Sequence, residues 1–239
     1  MPLPKISTPT YELELPSTGE TIQYRPFLVK EEKLLVIALE SEDTKQITTA
    51  IKNVIKNCIQ TKNIKVETLP TFDIEYLFLN IRGKSVGEEI DVNIICPDDG
   101  ETQVQVKINL DDIQVQKSDE HTNRIKLDDN IMMEMKYPSL DQFIKNNFDF
   151  GDKNAMDQSF DLIGSCIDKI YTEDEVWSTA DVTKKELNEF LESMNSSQFK
   201  DIEKFFETMP KLSHTIKVTN PNTQVDSEVV LEGLASFFA

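Results

Sequence analysis

Phe72-Asp-Ile-Glu-Tyr-Leu-Phe-Leu-Asn-Ile-Arg-Gly-Lys-Ser-Val-Gly87 is the stretch on which the architecture of this chain turns. Ile74, Leu77, Phe78 and Ile81 recur at helical spacing on one face, and Tyr76 and Leu79 lie on another. A helix apolar on more than one face is sandwiched between layers or between chains. Asp73 reads as the cap of its first turn, with Phe72 and Leu77 at the staple positions. Gly83 and Gly87 supply the backbone freedom at which the helix can end, and Arg82 and Lys84 gather near the negative end of its dipole. The segment therefore predicts a packing and docking element, with Phe72, Tyr76, Arg82 and Lys84 as contact residues.

Upstream, a proline-rich arm from Met1 to Pro9 leads into Tyr11–Leu15 and Thr21–Arg25, which alternate around Pro-Ser-Thr-Gly and predict a β-hairpin. Pro26 opens a helical segment over Val29–Glu40. Ser41 or Asp43 can cap a second helix running to about Gln60, in which Ile47, Ala50, Ile51, Val54, Ile55 and Cys58 recur at helical spacing. Cys58 is on that pattern a core residue.

Downstream the period changes to two. Ile90–Ile95 and Thr102–Leu110 alternate on either side of Cys-Pro-Asp-Asp-Gly, a strong hairpin signal. Further strands are expected at Ile113–Gln116, Asn123–Lys126 and Ile131–Tyr137, giving the middle of the chain a small antiparallel sheet. From Ser139 the helical period returns, over Leu140–Asn147, Ala155–Tyr171, Lys184–Met194 and Ser196–Thr208, where Pro210 stops the last helix. Thr215–Val218 and Val225–Leu231 around an Asn-Pro turn predict a closing hairpin. It can pair with the first hairpin or with a neighbouring subunit. Clustered strands and clustered helices without βαβ alternation define an α+β fold, with helical layers on small antiparallel sheets and hairpins. A boundary near Pro138 would give an N-terminal α+β domain, 1–137, and a mainly helical C-terminal domain, 138–239; one continuous domain is the alternative.

Composition limits the function. The 239 residues carry a formal charge of −18 and only three arginines, Arg25, Arg82 and Arg124, which argues against binding a phosphate backbone. Nucleic acid is not an expected partner. No window approaches the roughly 18 consecutive apolar residues of a membrane span. Cys58, Cys96 and Cys166 form no even disulfide framework, and Met-Pro-Leu-Pro-Lys lacks the apolar core of a signal peptide, so folding in a reducing cytoplasm is expected.

Candidates for chemistry are few. Cys96-Pro-Asp-Asp-Gly resembles half a zinc knuckle, but zinc takes about four N or S ligands and no second cysteine stands at knuckle spacing. A turn holding one free thiol is the simpler reading. His121 and His214 have no nucleophile motif beside them. Asp98-Asp99, Asp111-Asp112 and Asp128-Asp129 offer the paired carboxylates that a glycosidase or a magnesium site uses, yet all three pairs fall at predicted turns or strand ends, where Asp serves local hydrogen bonding. No catalytic residue, metal or cofactor is expected. What stands out instead is apolar: Phe199, Phe205, Phe206 and Met209, and the closing Leu234, Phe237 and Phe238. Core packing is the ordinary role of such residues, and aromatic anchoring in a partner's pocket the functional one. Phe205, Phe206, Phe237 and Phe238 join the contact candidates.

The Phe72–Gly87 run, preceded by Tyr24-Arg-Pro-Phe-Leu-Val-Lys-Glu-Glu-Lys-Leu-Leu35, resembles the baseplate protein family of T-even-like contractile-tailed bacteriophages. Phe205-Phe-Glu-Thr-Met-Pro-Lys-Leu212 and Leu231-Glu-Gly-Leu-Ala-Ser-Phe-Phe238 are similar to its closing segment, so the likeness spans most of the chain. The family includes a baseplate hub subunit and a hub assembly catalyst. The resemblance implies a virion or assembly protein of a contractile tail with no catalytic residues and does not separate the two roles; a non-enzymatic structural hub subunit, assembled in the host cytoplasm, is the expectation. Its partners would be other hub or wedge proteins and, within the baseplate, symmetric copies of itself. The family's cysteines around the turn after the first long strand are met here by Cys96 alone. Assembly catalyst, carboxylate-based cell-wall hydrolase and acidic scaffold for basic host proteins are the alternatives.

Overall fold

The structure, a computed structural model, describes residues 6–140, 142, 155–233 and 236. Six α-helices and eleven strands occur among them, in several small antiparallel sheets, and the fold is α+β. The chain divides into two compact units that interleave in sequence. Unit one comprises Met1–Val66, Phe72–Gln116 and Lys211–Ala239; unit two comprises Glu67–Thr71 and Lys117–Pro210. A division of this kind differs from a single cut near Pro138, because the closing hairpin returns to the first unit.

Unit one opens with β1 (Tyr11–Glu14) and β2 (Thr21–Tyr24), paired antiparallel from Tyr11↔Tyr24 to Glu14↔Thr21. An αα-hairpin follows, α1 (Val29–Glu40) and α2 (Thr44–Cys58). Of the two candidate caps Asp43 is the one used, its carboxylate accepting from the Lys45 and Gln46 N–H groups at 2.9 and 3.2 Å. Cys58 is buried, as the helical spacing predicts, with Val54 and Ile55.

The decisive segment forms α3 (Thr71–Val86). It begins earlier than its sequence signals suggest and ends at the second of the two glycines they offer. Because Thr71 already belongs to the helix, Asp73 lies inside it rather than ahead of it, and Phe72 is not at the outer staple position. The buried Asp73 carboxylate instead takes the Ser17 backbone N–H at 3.0 Å and bonds the Ser17 hydroxyl, fastening the turn of the first hairpin. Gly83 does not end the helix. A Cβ there would stand 3.3 Å from Leu110 Cδ1, so the missing side chain permits close packing, and Gly87 at φ +126° makes the stop. Gly83→Val is accordingly expected to lower stability by about 1–3 kcal/mol through overpacking, read from chemical denaturation.

β3 (Glu89–Ile95) and β4 (Gln103–Asn109) form a two-stranded sheet around the Asp99-Gly100 turn, with Ile90, Val92 and Ile94 inward at period two. β5 (Gln114–Gln116) leaves this sheet and pairs with β10 (Lys211–Thr219), which pairs with β11 (Asp226–Glu232) in the order β11-β10-β5. The closing hairpin therefore finds its neighbour within the chain and does not pair with the first hairpin. Leu79 of α3 joins Ile90, Ile108, Leu110, Ile113, Leu212 and Ile216 in one core, with Tyr76 packed at its edge. Opposite them Ile74, Leu77, Phe78 and Ile81 are also buried. Hydrogen bonds from Ser17 to Asp73 and from Phe27 N–H to Ser85 Oγ at 2.9 Å tie α3 to the first hairpin and the start of α1. The layers that sandwich this helix belong to its own chain.

Unit two has one four-stranded sheet, β6 (Arg124–Lys126), β7 (Met132–Met135), β8 (Ile167–Tyr171) and β9 (Val176–Ser178), in that order. Its helices are α4 (Ala155–Cys166), α5 (Lys184–Glu192) and α6 (Ser196–Thr208). The expected helix over Ala155–Tyr171 stops at Cys166. Ile167-Asp-Lys-Ile-Tyr171 carries β-branched and aromatic residues and pairs with β7 on one side and β9 on the other, and that pairing overrides helical continuity. The strands expected as a single middle sheet are thus shared among three. Thr183 caps α5 and Asn195 caps α6, each in a reciprocal capping box. Ile125, Met133, Ile163, Ile167, Leu191, Ile202 and Phe205 make the core. The helix expected over Leu140–Asn147 falls largely outside the described residues. Cys58, Cys96 and Cys166 are free and buried, and burial pushes the Cys58 and Cys166 thiols up to about 11.

Candidate docking surface

Leu34-Leu-Val-Ile-Ala-Leu39 puts six apolar residues in a row on a helix that turns about 100° per residue, so they spread around its whole circumference. Only Ala38 among them is buried. Val29 is 80% exposed, Leu39 55%, Ile37 53%, and Leu34 and Val36 47% each. α1 packs against α2 and is also fastened at its N-terminus. There Glu31, fully buried, accepts from the Leu28 N–H at 2.8 Å and from the Arg25 guanidinium at 3.1 Å. Arg25 also donates to Pro26 O at 2.9 Å. Between α1 and α2 runs an open groove of about 450 Å³, floored by Leu34, Ile37, Ala38 and Ala50 and edged by Gln46 and Asn53. Contiguous exposed apolar surface rimmed by polar groups marks a protein contact.

The residues read from sequence as contacts are distributed differently. Phe72 and Phe205 are buried in their own units, and Tyr76 and Phe206 are partly buried against the two cores. Phe205 stacks on Tyr137, with centroids 5.8 Å apart, and meets Phe206 edge-on at 5.2 Å. Arg82 is half-buried, and burial lowers the pKa of its guanidinium. Lys84 pairs with Glu88 one turn on and lies over the Tyr11 ring, 5.8 Å from its centroid. Phe237 and Phe238 lie outside the described residues. The sequence predicts α1 as a helix, but its exposed apolar surface is not among the expected contacts although the signal is present. The criterion applied to α3, apolar residues on more than one face, fits Leu34–Leu39 more strongly.

The chemical candidates resolve into local structure. Asp98 and Asp99 converge on the buried Asn220 amide, which donates to Asp98 Oδ1 at 3.0 Å and Asp99 Oδ2 at 2.8 Å, and Thr223 Oγ1 donates to Asp98 Oδ2 at 2.5 Å. These bonds clasp the β3–β4 turn to the β10–β11 turn. Hydrogen bonds from Thr102 hold the Asp99 carboxyl below its ordinary range, and those from Thr223 and Asn220 do so for Asp98. Burial, then the two aspartates, raise the Cys96 thiol. Asp111 lies in a short 3-10 turn, its N–H bonded to Asn109. Among the described residues no three His, Cys, Asp or Glu side chains are placed to share a metal ion. His214 sits in β10 opposite Leu231.

His121 lies in unit two between Thr208 Oγ1, 3.0 Å from Nδ1, and the Tyr137 hydroxyl, 3.0 Å from Nε2. Thr208 spends its own proton on Lys204 O at 2.7 Å, so Nδ1 carries the imidazole proton and Nε2 accepts from Tyr137. Burial lowers the His121 pKa. The folded state therefore binds its proton less readily than the unfolded chain, and the stabilisation is complete above the unfolded value near 6.5 and is lost as pH falls through the folded value. His121→Gln is expected to remove that part of the pH dependence, measured as Tm at pH 7.5 and pH 5.

Fold and surface together define an α+β protein whose most prominent exposed feature is an apolar helix face. No described helix is long and apolar enough to cross a membrane. The T4 bacteriophage base plate protein family matches residues 8–239, and the chain belongs to that family. No curated protein and no solved structure matches it. The protein is thus a phage baseplate component, placed by its family in the tail baseplate of the virion and in contact with other baseplate proteins.

Proposed function

We propose that this baseplate protein is a structural subunit of the hub, without catalytic activity, and that it docks on a neighbouring hub or wedge protein through the exposed face of α1. The observation that carries the reading is the set Val29, Leu34, Val36, Ile37 and Leu39, whose side chains stay about half or more exposed on a helix packed against α2. Burying these residues against an apolar face of the neighbour supplies the contact, while the exposed Lys30, Glu32, Lys33 and Glu40, interspersed among them around the helix, set register.

The test is Leu34→Glu combined with Ile37→Glu. Both positions are exposed, so folding stability is expected to change by no more than about 0.5 kcal/mol per site. Incorporation into baseplates and the yield of tailed particles should collapse. Normal incorporation of the folded double variant would refute docking through α1. Mass spectrometry of purified virions tests the role itself, because a subunit must be present in stoichiometric amounts and an assembly catalyst absent.

A further inference from the structure

The sheet of unit two carries an apolar row across all four strands. Ile125 lies opposite Met133, Met133 opposite Ile170, and Ile170 opposite Trp177, so the four side chains share one face. Ile125 and Met133 are buried, Ile170 is partly buried, and Trp177, on the edge strand β9, is 41% exposed. Beside it Val176 is exposed on the opposite face. The row ends in solvent on its largest member.

The edge is also open along its backbone. Thr172 N–H bonds Glu175 O at 2.9 Å and Thr179 N–H bonds Asp168 O at 3.1 Å, which fixes the alternation of the ladder. Residues 175, 177 and 179 turn their amides toward β8, so those of Val176 and Ser178 point away from it. Ser178 O takes the Asp181 N–H at 2.9 Å. Val176 N–H, Val176 O and Ser178 N–H are left facing outward, and no fifth strand covers them among the described residues. Glu173, Asp174 and Glu175 precede this edge and Asp181 follows it, all exposed. The lysine on the adjoining strand, Lys169, stands 3.6 Å from Asp168.

We propose that β9 is a strand-addition site for an extended, lysine- or arginine-bearing segment of a partner protein, distinct from the α1 contact and independent of it. The incoming strand bonds Val176 and Ser178, sets one apolar residue beside Trp177 as the fifth member of the row, and presents its cations to the four carboxylates. Sequence specificity is low and charge selectivity high, because backbone bonds provide the pairing and the acidic flank selects the partner.

Trp177 is the only tryptophan, so its emission reports the site directly. The probe is the peptide Lys-Lys-Thr-Val-Thr-Val-Lys-Lys titrated into the intact protein. A saturable blue shift is expected, weakening as salt rises. The same peptide with glutamates for lysines, or with alternate backbone nitrogens methylated, should produce none. Val176→Pro removes an outward N–H without touching the β8 ladder and should abolish the shift while leaving the circular dichroism unchanged. No emission change with the lysine peptide overturns the proposal, as does an equal response to the glutamate or methylated peptide. Virion incorporation of the α1 variant is a separate readout, so failure of either site leaves the other standing.

Discussion

Arg25→Ala is expected to cost about 3–5 kcal/mol, because it leaves the Glu31 carboxylate buried without its cation. Glu31 has no exposure to solvent, and Arg25 is the well-covered cation beside it, at 3.1 Å. Lys30 also reaches Glu31, at 3.3 Å, but from an exposed position. Burial alone would raise the Glu31 pKa; hydrogen bonds from Arg25 and from the Leu28 N–H outweigh it and hold the carboxyl below its ordinary value. A carboxyl lowered in the folded state stabilises above its unfolded pKa near 4.5 and loses that contribution as pH falls through the folded value. Without Arg25 only the Leu28 N–H and Lys30 bonds oppose burial, so the folded pKa rises and the contribution shrinks. The gap between wild type and variant, taken from urea unfolding at pH 7 and pH 4, should therefore narrow on acidification. Replacing the pair together, Arg25→Met with Glu31→Leu, should recover most of the loss, since no buried charge remains.

Phe72→Ala is the second large effect, about 3–5 kcal/mol from lost transfer energy and the cavity left behind. Phe72 is 2% exposed, so its loss acts on folding before it acts on any partner. Urea unfolding separates the roles: a docking residue would leave the midpoint unmoved and reduce incorporation, whereas a core residue moves the midpoint first. The same logic applies to Phe205, closed in by His121, Tyr137 and Phe206.

Local pattern carried much of this fold. Val29–Glu40 and Ser196–Thr208 are helices with the bounds their periodicity predicts, and the alternation around Asp99-Gly100 gives β3 and β4 to within a residue or two. Legibility failed where a segment's partner lies far along the chain. Ile167–Tyr171 continues the helical pattern of α4 and becomes a strand because β7 and β9 offer it two ladders. β9 is three residues long and has no period of its own to read. Gly83 resembles a helix stop in sequence, and only the approach of Leu110 shows it as a packing position. Phe72 and Phe205, expected as contacts, lie in cores for a related reason. An apolar helix announces that it must be covered, but sequence does not say by what: α3 is covered within the chain, whereas α1 is left open.

The pairing of β5 with β10 has a consequence for synthesis. Unit one needs residues 211–219 to complete the sheet that begins at Gln114. On the ribosome the early hairpin and helices must wait through the translation of all of unit two, which can close first. Unit one would then become protease-resistant only after β10 and β11 emerge, late in translation, and a nascent chain stalled before Lys211 would be captured by chaperones.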